Sequence, residues 1–211
     1  MSTIHKFFSK SAIGTKPETM GGITNWRKRL SNFWPIQICP NIFNIDGVQL
    51  FSEHHTFASV EHAFHWAKYH FTTCQLSTEE LLDMFSHYPS ILLEDIPTTG
   101  LDDTTFKTQI RPRMVKCKSS SSKGTMKKLG YELDVGRWNS VREQIMMHLL
   151  RTRANVDQDF RSILIASDGE LLHSDRAGVK SFWGGSDKGG QNTLGKLLMQ
   201  LREELQNPIE L

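Results

Sequence analysis

Apolar residues recur with helical spacing in several stretches of the chain. A helix is predicted to begin near Ser59, because the apolar side chains after it return every three or four residues: Val60, Ala63, Phe64, Ala67 and Phe71. Residues 138–151 have a similar periodicity and predict a longer helix. Ser140 and Glu143 have the spacing of a capping box at its start. The chain is therefore expected to be mainly helical.

Shorter elements complete the pattern. Asp157 is predicted to cap a short helix, and a final amphipathic helix is predicted after Asn192, where leucines recur at helical spacing. Asp46-Gly47 between two alternating apolar stretches predicts a β-hairpin with a tight turn. Residues 170–173 are predicted to form a strand. The expected fold class is α+β, a compact, mainly helical single domain with a short β-hairpin or small sheet.

Composition limits the class of protein. The chain has 211 residues, is 38% hydrophobic and 23% charged, and can therefore bury a core. We expect neither a membrane anchor nor a secretory leader, since apolar runs fall short of the roughly 20 residues that span a bilayer. Three well-separated cysteines indicate a reducing compartment. We therefore expect a cytoplasmic protein, or a nuclear one in a eukaryote, that is a monomer or a weak dimer.

The net charge of +2 conceals two blocks of opposite sign. Residues 79–103 contain seven acidic residues and no lysine or arginine, whereas residues 111–128 contain seven basic residues and no acidic one. Within the basic block, the serines of residues 119–122 and the following Lys123-Gly124 predict a flexible polar loop. Such a loop is able to bind phosphate, but basic runs are as often only solubilising.

The most informative polar residues lie on the helix predicted after Ser59. Glu61, His65 and Lys68 fall on one side of it, beside the apolar face. A carboxylate, an imidazole and an ammonium group at that spacing suit acid–base chemistry or the stabilisation of a developing cation. The alternative is an ordinary solvent-exposed face, because a glutamate in a first turn suits the helix dipole and Glu–Lys pairs are common on surfaces.

Histidines are concentrated in the same region, so a metal site has to be weighed. His62 and His65 are three residues apart, whereas a zinc-binding pair on a helix is normally four apart with a glutamate between. A third acidic or cysteine ligand does not follow nearby in the sequence. A metal-dependent hydrolase is therefore a distant alternative, and we expect no metal and no other cofactor.

Two further segments carry side chains suited to a planar ligand. Residues 181–192 are rich in glycine, which lets a backbone approach a ligand closely, and Trp183 among them offers a stacking surface. Trp138 begins a predicted helix, and Asn32 with Phe33 lies in an aromatic loop. Each also has a plain structural explanation as a core or loop-closing residue.

A set of short segments occurs in a fixed order along the chain: Ser31-Asn32-Phe33, Asp46-Gly47, Ser59-Val60-Glu61-His62, Trp138 with Val141-Arg142-Glu143-Gln144-Ile145-Met146, Phe182-Trp183-Gly184, and Asn192 with Leu194-Gly195 and Leu197-Leu198-Met199. They cover most of residues 30–71 and 137–206. In this order they resemble the NADAR family, the NAD- and ADP-ribose-associated N-glycosidases that include a bacterial N-glycosidase of riboflavin intermediates.

The resemblance implies a NADAR-like fold that hydrolyses a base–ribose bond without a metal. It implies a domain over residues 25–206 with an insertion at about 72–116, an N-terminal extension of residues 1–24 and a C-terminal tail of residues 207–211. The family's helix glutamate falls on Glu61, its lysine on Lys68, and its tryptophans on Trp138 and Trp183.

One position departs from the bacterial pattern of the family. In the bacterial pattern an aspartate lies three residues before the Trp-Gly pair, whereas this chain has Lys180 at that position. Asp175, in the preceding loop, is the candidate to supply the missing carboxylate. The departure bears on substrate choice and on activity. It makes a non-catalytic module that binds ADP-ribose or a nucleotide the alternative function.

The resemblance and the residue types together assign roles. Glu61 is expected to stabilise an oxocarbenium-like centre or to activate water. Lys68 is expected to hold a phosphate or to act as a nucleophile through a Schiff base, and Asp175 completes the expected catalytic set. The expected substrate-binding residues are Asn32, Phe33, His65, Lys116, Lys118, Trp138, Lys180, Trp183 and Gly184.

Two substrate classes fit these expectations. One is guanine that is ADP-ribosylated in DNA or RNA, and the other is a small ribosylated nucleotide metabolite, such as a ribosylated pyrimidine phosphate of riboflavin synthesis. The basic block over residues 111–128 favours the first, because a polynucleotide requires phosphate contacts.

Overall fold

The chain folds as an α+β protein that is mainly helical, which confirms the predicted class. The computed structural model describes residues 3–11, 15–52, 55–73, 77, 103–128, 130–175 and 177–208. Its contacts divide the chain into two compact units. The first unit consists of Met1–Trp34 and Arg153–Leu211, and the second of Pro35–Thr152.

The helices and strands follow one another in mixed order. The strands are β1 (Ile4–Phe7), β2 (Asn44–Ile45), β3 (Val48–Gln49) and β4 (Glu170–His173). The α-helices are α1 (Trp26–Arg29), α2 (Val60–Tyr69), α3 (Asp103–Thr105), α4 (Arg111–Ser120), α5 (Lys123–Lys128), α6 (Val135–Val156), α7 (Gln158–Ala166) and α8 (Thr193–Gln206). A π-helical turn, Phe106–Ile110, joins α3 to α4, and a 3-10 turn spans Gly178–Lys180. Among the described residues, no helix is long and apolar enough to cross a membrane.

The first unit is built on a parallel pair of strands. β1 pairs with β4 in the register Ile4↔Glu170 to Phe7↔His173. His5 and Phe7 are buried, while Ile4 and Lys6 are exposed, which is the alternation of a half-buried strand. Helix α8 packs on β4 and on α7, so that leucines of α8 and β4 share a core with the apolar face of α7. The segment expected as an N-terminal extension thus contributes a strand.

Several predicted elements of the first unit are confirmed. Asp157 caps α7, because its Oδ1 accepts a hydrogen bond from the amide of Phe160 at 3.0 Å. The predicted strand over residues 170–173 is β4, and the final helix begins directly after Asn192. Gly169 precedes β4 with φ +65°, and a Cβ atom there would lie 2.1 Å from the carbonyl oxygen of Thr3, so only glycine fits this turn.

The second unit contains the predicted hairpin and the predicted helix at Ser59. Asp46 and Gly47 have φ values of 52° and 73°, as a tight turn between β2 and β3 requires. Ser59 caps α2 by accepting a hydrogen bond from the amide of His62 at 3.1 Å. Arg137, in the first turn of α6, holds the hairpin by donating to the carboxylate and the carbonyl group of Asp46.

Three predictions about the second unit are wrong. Helix α6 begins at Val135 instead of residue 138, because Asp134 supplies the cap: its Oδ1 accepts from the amide of Arg137 at 3.0 Å. Ser140 lies inside the helix, where its hydroxyl donates to the carbonyl of Arg137, and therefore forms no capping box. The polar loop predicted at residues 119–124 is instead the end of α4, a short turn and the start of α5.

The predicted insertion at about 72–116 is described only in part. Residues 74–76 and 78–102, which hold most of the acidic block, lie outside the described residues. From residue 103 to residue 120 the chain is helical, and Phe106, Ile110 and Met114 recur at a spacing of four and are buried. This apolar stripe is a helical signal that the sequence contained, and α4 packs on α2.

Candidate active site

The side chains predicted to carry the chemistry lie together along α2 in the second unit. Glu61 is 7% exposed and His65 is buried beside it. The His65 Nε2 and Glu61 Oε1 atoms are 3.1 Å apart, as the spacing of four residues on a helix allows. The alternative of an ordinary solvent-exposed face does not hold for this pair, because both groups are buried.

Ser121 joins this pair from the turn between α4 and α5. Its side chain is fully buried, and its Oγ forms a short hydrogen bond with His65 Nδ1. A serine hydroxyl, an imidazole and a carboxylate are thus connected in series. Burial lowers the pKa of His65 below its usual value, and the hydrogen bond to Glu61 offsets part of that effect. The imidazole is therefore neutral at neutral pH.

Lys68 lies one turn further along α2. Its Nζ donates a hydrogen bond of 2.6 Å to the carbonyl oxygen of Ser121. The pKa of Lys68 is lowered to about 8, mainly by burial and also by the positive charge of Lys118, while the negative charge of Glu61 opposes both effects. A lysine with a pKa near 8 has a far larger fraction of neutral amine at physiological pH than an ordinary lysine.

Lys118 reaches the cluster from α4. Its Nζ lies 3.8 Å from Glu61 Oε1, while 60% of its side chain is exposed. This places a predicted substrate-binding residue at the carboxylate itself. Lys116 belongs to the same helix, but its side chain lies outside the described part of the chain.

His62, the residue after Glu61, is used by the fold. Its Nδ1 accepts a hydrogen bond from the amide of Ala58 at 3.2 Å, and its ring packs edge-on against Phe57. Burial lowers the pKa of His62 to about 4, with His65 adding to the shift. Within the described ranges, no three His, Cys, Asp or Glu side chains are placed to hold a metal ion.

Trp138, the predicted base-stacking residue of this unit, packs against α2. Its ring centroid lies 5.0 Å from that of Phe64 and 5.7 Å from that of Phe71. The side chain is 5% exposed. Its contact with a base stays a prediction, and only a small edge of the indole is open to such a contact.

The glycine-rich segment of the first unit is organised by Asp175. The carboxylate accepts hydrogen bonds from the amides of Ala177 and Gly178 at 2.9 and 3.2 Å and from the hydroxyl of Ser181. The Ser181 Oγ in turn accepts from the amide of Gly184 at 2.7 Å. Asp175 therefore shapes the loop, and its catalytic role stays a prediction.

Gly184 is required by this close packing. A Cβ atom there would lie 2.6 Å from the carbonyl oxygen of His173 and 2.8 Å from the carboxyl carbon of Asp175. The neighbouring Trp183 meets Phe182 edge-on at 4.9 Å, and Lys180 is exposed at the end of the 3-10 turn. Their predicted contacts with a substrate remain predictions.

The loop with Asn32 and Phe33 is held by a buried arginine. Arg153 donates to the carbonyl oxygens of Ser31 and Arg29 at 3.1 and 2.5 Å. It also forms a paired contact with Asp157 Oδ2 at 3.0 and 2.9 Å, which balances its charge. Asn32 is buried and Phe33 is half-buried on this support. Sequence reasoning did not single out Arg153, because an arginine in a helix is usually an exposed residue.

Ser121 is the functional candidate that sequence reasoning missed. It belongs to the serine run of the basic block, for which the sequence left phosphate binding and a solubilising role both open. Its contact with His65 spans 56 residues of sequence, and a pattern in either local segment does not reveal such a pair.

Fold and site together define an α+β protein with a buried carboxylate, imidazole and hydroxyl in series beside a lysine of lowered pKa. The chain belongs to the NADAR family: the family model described as NADAR domain matches residues 100–206, about half of the chain. This agrees with the resemblance drawn from the short segments.

Curated relatives are named N-glycosidases. The chain is 39% identical over 75 residues to N-glycosidase Npun_R5314 of Nostoc punctiforme, a match that covers 35% of this chain and 47% of that protein. It is 38% identical over 71 residues to N-glycosidase YbiA of Escherichia coli strain K12, covering 32% of this chain and 42% of that protein. The matches thus span less than half the length of these relatives.

A solved structure supports the fold. The NMR structure of the E. coli protein YbiA superposes with a TM-score of 0.55 at 21% identity, covering 97% of this chain and 86% of that one. The predicted NADAR-like fold is confirmed by this similarity.

Proposed function

We propose that the chain is an N-glycosidase that hydrolyses the bond between a base and ribose, and that its chemistry needs no metal. The observation that carries the proposal is the buried Glu61 carboxylate, which lies 3.1 Å from His65 Nε2 and 3.8 Å from Lys118 Nζ. Membership of the NADAR family and the N-glycosidase names of the relatives support it.

Glu61 is suited to the charge that develops at the sugar. Breaking a base–ribose bond leaves the electron pair on the base nitrogen, which takes up a proton, and builds positive charge at C1′ of the ribose. A buried carboxylate stabilises that charge more strongly than an exposed one, because water screens it less. The same carboxylate can accept a proton from the water that adds to C1′.

Lys68 is assigned the nucleophile's role that the sequence suggested. Its pKa of about 8 leaves roughly a tenth of the side chain as neutral amine at pH 7. The amine attacks C1′ as the base departs with the electron pair of the broken bond. The attacking nitrogen then gives a proton to the ring oxygen, and the sugar ring opens to an imine. Addition of water to the imine releases the substituted ribose and restores the lysine. Borohydride added during turnover reduces such an imine and would leave a sugar adduct on Lys68.

The two substrate classes remain candidates for the same chemistry. Lys123, Lys127 and Lys128 are exposed on α5, which follows the turn that carries Ser121. These lysines favour a base carried on a polynucleotide. A steep fall in substrate affinity from low to moderate salt is expected for that class, and a flat response would indicate the small metabolite.

The test is a base-release assay on both substrate classes in the presence of a metal chelator. The wild-type chain is expected to release free base, and Glu61→Gln is expected to lower the rate by roughly 100-fold or more, as the loss of one charge-stabilising group does elsewhere. Glu132→Gln, an exposed acid of the same unit, is the matched control and should keep the wild-type rate.

Three results would count against the proposal. Near-normal turnover by folded Glu61→Gln would remove Glu61 from the chemistry. Loss of activity with the chelator would make the enzyme metal-dependent. Ligand binding without release of base would identify a binding module instead. The predicted contacts of Asn32 and Trp183 can be examined in the same assay.

A further inference from the structure

The serines of residues 119–122 have separate roles in the structure. Ser122 caps α5 from the position before its first residue: its Oγ accepts from the amide of Thr125 at 3.2 Å and contacts the Thr125 hydroxyl at 2.9 Å. The carbonyl of Ser119 accepts from the Thr125 hydroxyl at 3.1 Å. Ser122 is exposed, whereas Ser121 is fully buried. The serine run is therefore not a uniform polar loop, and Ser121 faces α2.

Ser121 is fixed to α2 at two points. Its Oγ is in short contact with His65 Nδ1, and its carbonyl oxygen accepts from Lys68 Nζ at 2.6 Å. These two α2 residues are nearly one turn apart, so the turn between α4 and α5 is held against the face of α2 that carries Glu61.

The hydrogen atoms at this contact can be assigned by counting donors. A serine hydroxyl has one hydrogen, and the Oγ of Ser121 has His65 Nδ1 in short contact and the carbonyl of Lys118 at 3.5 Å. A hydroxyl hydrogen directed to Nδ1 leaves the single hydrogen of a neutral imidazole on Nε2. From there it points to Glu61 Oε1 at 3.1 Å. The opposite assignment would place two acceptors, Nε2 and the carboxylate, against each other.

We propose that Ser121 is a positioning residue: its hydroxyl donates to His65 Nδ1, holds the imidazole as the Nε2–H tautomer, and so fixes the Glu61 carboxylate. Ser121 is fully buried and does not itself touch a substrate. The inference rests on the proposed function for its catalytic consequence, but the hydrogen bond itself can be measured independently. The lowered pKa of His65 agrees with a neutral ring.

The first test is nitrogen-15 NMR of histidine-labelled protein, with the His65 signals assigned by their loss in His65→Gln. In the wild type, Nδ1 is expected to be the unprotonated nitrogen and Nε2 the protonated one. A protonated Nδ1 in the wild type would overturn the proposal without any further variant. In Ser121→Ala, the Nδ1 signal is expected to move downfield, as an imidazole nitrogen does when it loses a donor.

The second test compares kinetics and uses the neighbouring serine as the control. Ser121→Ala is expected to lower kcat by roughly 10- to 100-fold with KM changed less than about twofold, because displacing a catalytic group such as the Glu61 carboxylate by about 1 Å costs on the order of 100-fold in rate. Ser122→Ala should leave both kcat and the Nδ1 signal at their wild-type values, since its hydroxyl serves α5.

The possible outcomes separate the two proposals. An unchanged Nδ1 signal in folded Ser121→Ala, or a shifted signal with unchanged kcat, would overturn the positioning role. If wild-type protein releases no base from either substrate, the proposed function fails. The NMR result then still decides whether Ser121 holds His65 in its tautomer.

Discussion

At the scale of single residues, burial decides which protonation states the candidate site can use. Lys68 and His65 lie on the same helix, and burial lowers the pKa of each, which favours the neutral form of both side chains. Glu61 acts in the opposite direction, because its negative charge favours the protonated forms of both. Exposure of Lys68 and His65 to water would bring their pKa values back toward the ordinary range and leave little neutral amine on Lys68 at neutral pH.

Lys118 is the residue through which the pKa of Lys68 can be tuned without altering Lys68. Because the positive charge of Lys118 lowers that pKa, Lys118→Ala should raise it. If the neutral amine is the nucleophile, the rate rises with pH through about 8 and then levels off. The variant should move this rise to higher pH. The measurement is kcat/KM against pH for both proteins.

The matched control is Lys123→Ala, which removes an exposed lysine of α5. It should leave the position of the rise unchanged. A rise that stays in place in Lys118→Ala, or that moves to lower pH, would contradict the assigned electrostatic role of Lys118.

Only the site residues on α2 could be predicted from the sequence. The spacing of Glu61, His65 and Lys68 places them on one side of a helix, and this could be recognised from the sequence alone. Ser121 and Arg153 could not, since each acts through a contact with residues distant in sequence. Whether Asp175 replaces the family's aspartate also depends on the path of its loop, which the local sequence does not predict.

At the scale of elements, caps explain both the correct and the incorrect boundaries. Ser59 and Asp157 each stand directly before an apolar periodic stretch, and their helices were predicted correctly. The predicted start of α6 lies too far along the chain, because the apolar pattern begins at Trp138 whereas the helix itself is capped by Asp134. Strand β1 was missed because four residues with two polar ones carry little signal, and its partner strand is β4.

The cap of α6 offers a direct test at this scale. Asp134→Ala should lower the free energy of unfolding by about 1 kcal/mol, the usual effect of losing an N-cap side chain. Ser140→Ala, at the position that the sequence suggested, should leave it unchanged or slightly raised, because alanine is the better helix former. Denaturant unfolding of both variants measures the difference, and a larger loss in Ser140→Ala would mean that α6 begins later.

At the scale of the whole molecule, buried histidines connect stability to pH. Burial lowers the pKa of His62 and of His70 to about 4 each, with the neighbouring His65 and His55 adding to the respective shifts. In the unfolded chain both titrate near 6.5. Between these values the unfolded state binds more protons than the folded state. The contribution of the two neutral histidines to the free energy of unfolding is therefore complete above about pH 6.5 and is lost as the pH falls toward 4.

Acid unfolding should therefore be detectable well above the range in which carboxylates titrate. At pH 5 the free energy of unfolding is expected to be lower by on the order of 2 kcal/mol for each of the two histidines. His62→Asn keeps an acceptor for the amide of Ala58 and should weaken the dependence on pH between 6.5 and 5. Thermal unfolding across this range tests the expectation, and equal slopes for both proteins would contradict it.

The parallel pairing of β1 with β4 has a consequence for how the chain is made. On a ribosome, β1 emerges long before β4, so Ile4 has no partner until Glu170 has been translated and their ladder can form. The second unit is one continuous stretch and can assemble in the meantime, whereas the first unit cannot be completed until its C-terminal segment has been translated. An unpaired strand can form hydrogen bonds with strands of other chains. The charged, exposed side chain of Lys6 in β1 disfavours such pairing during translation.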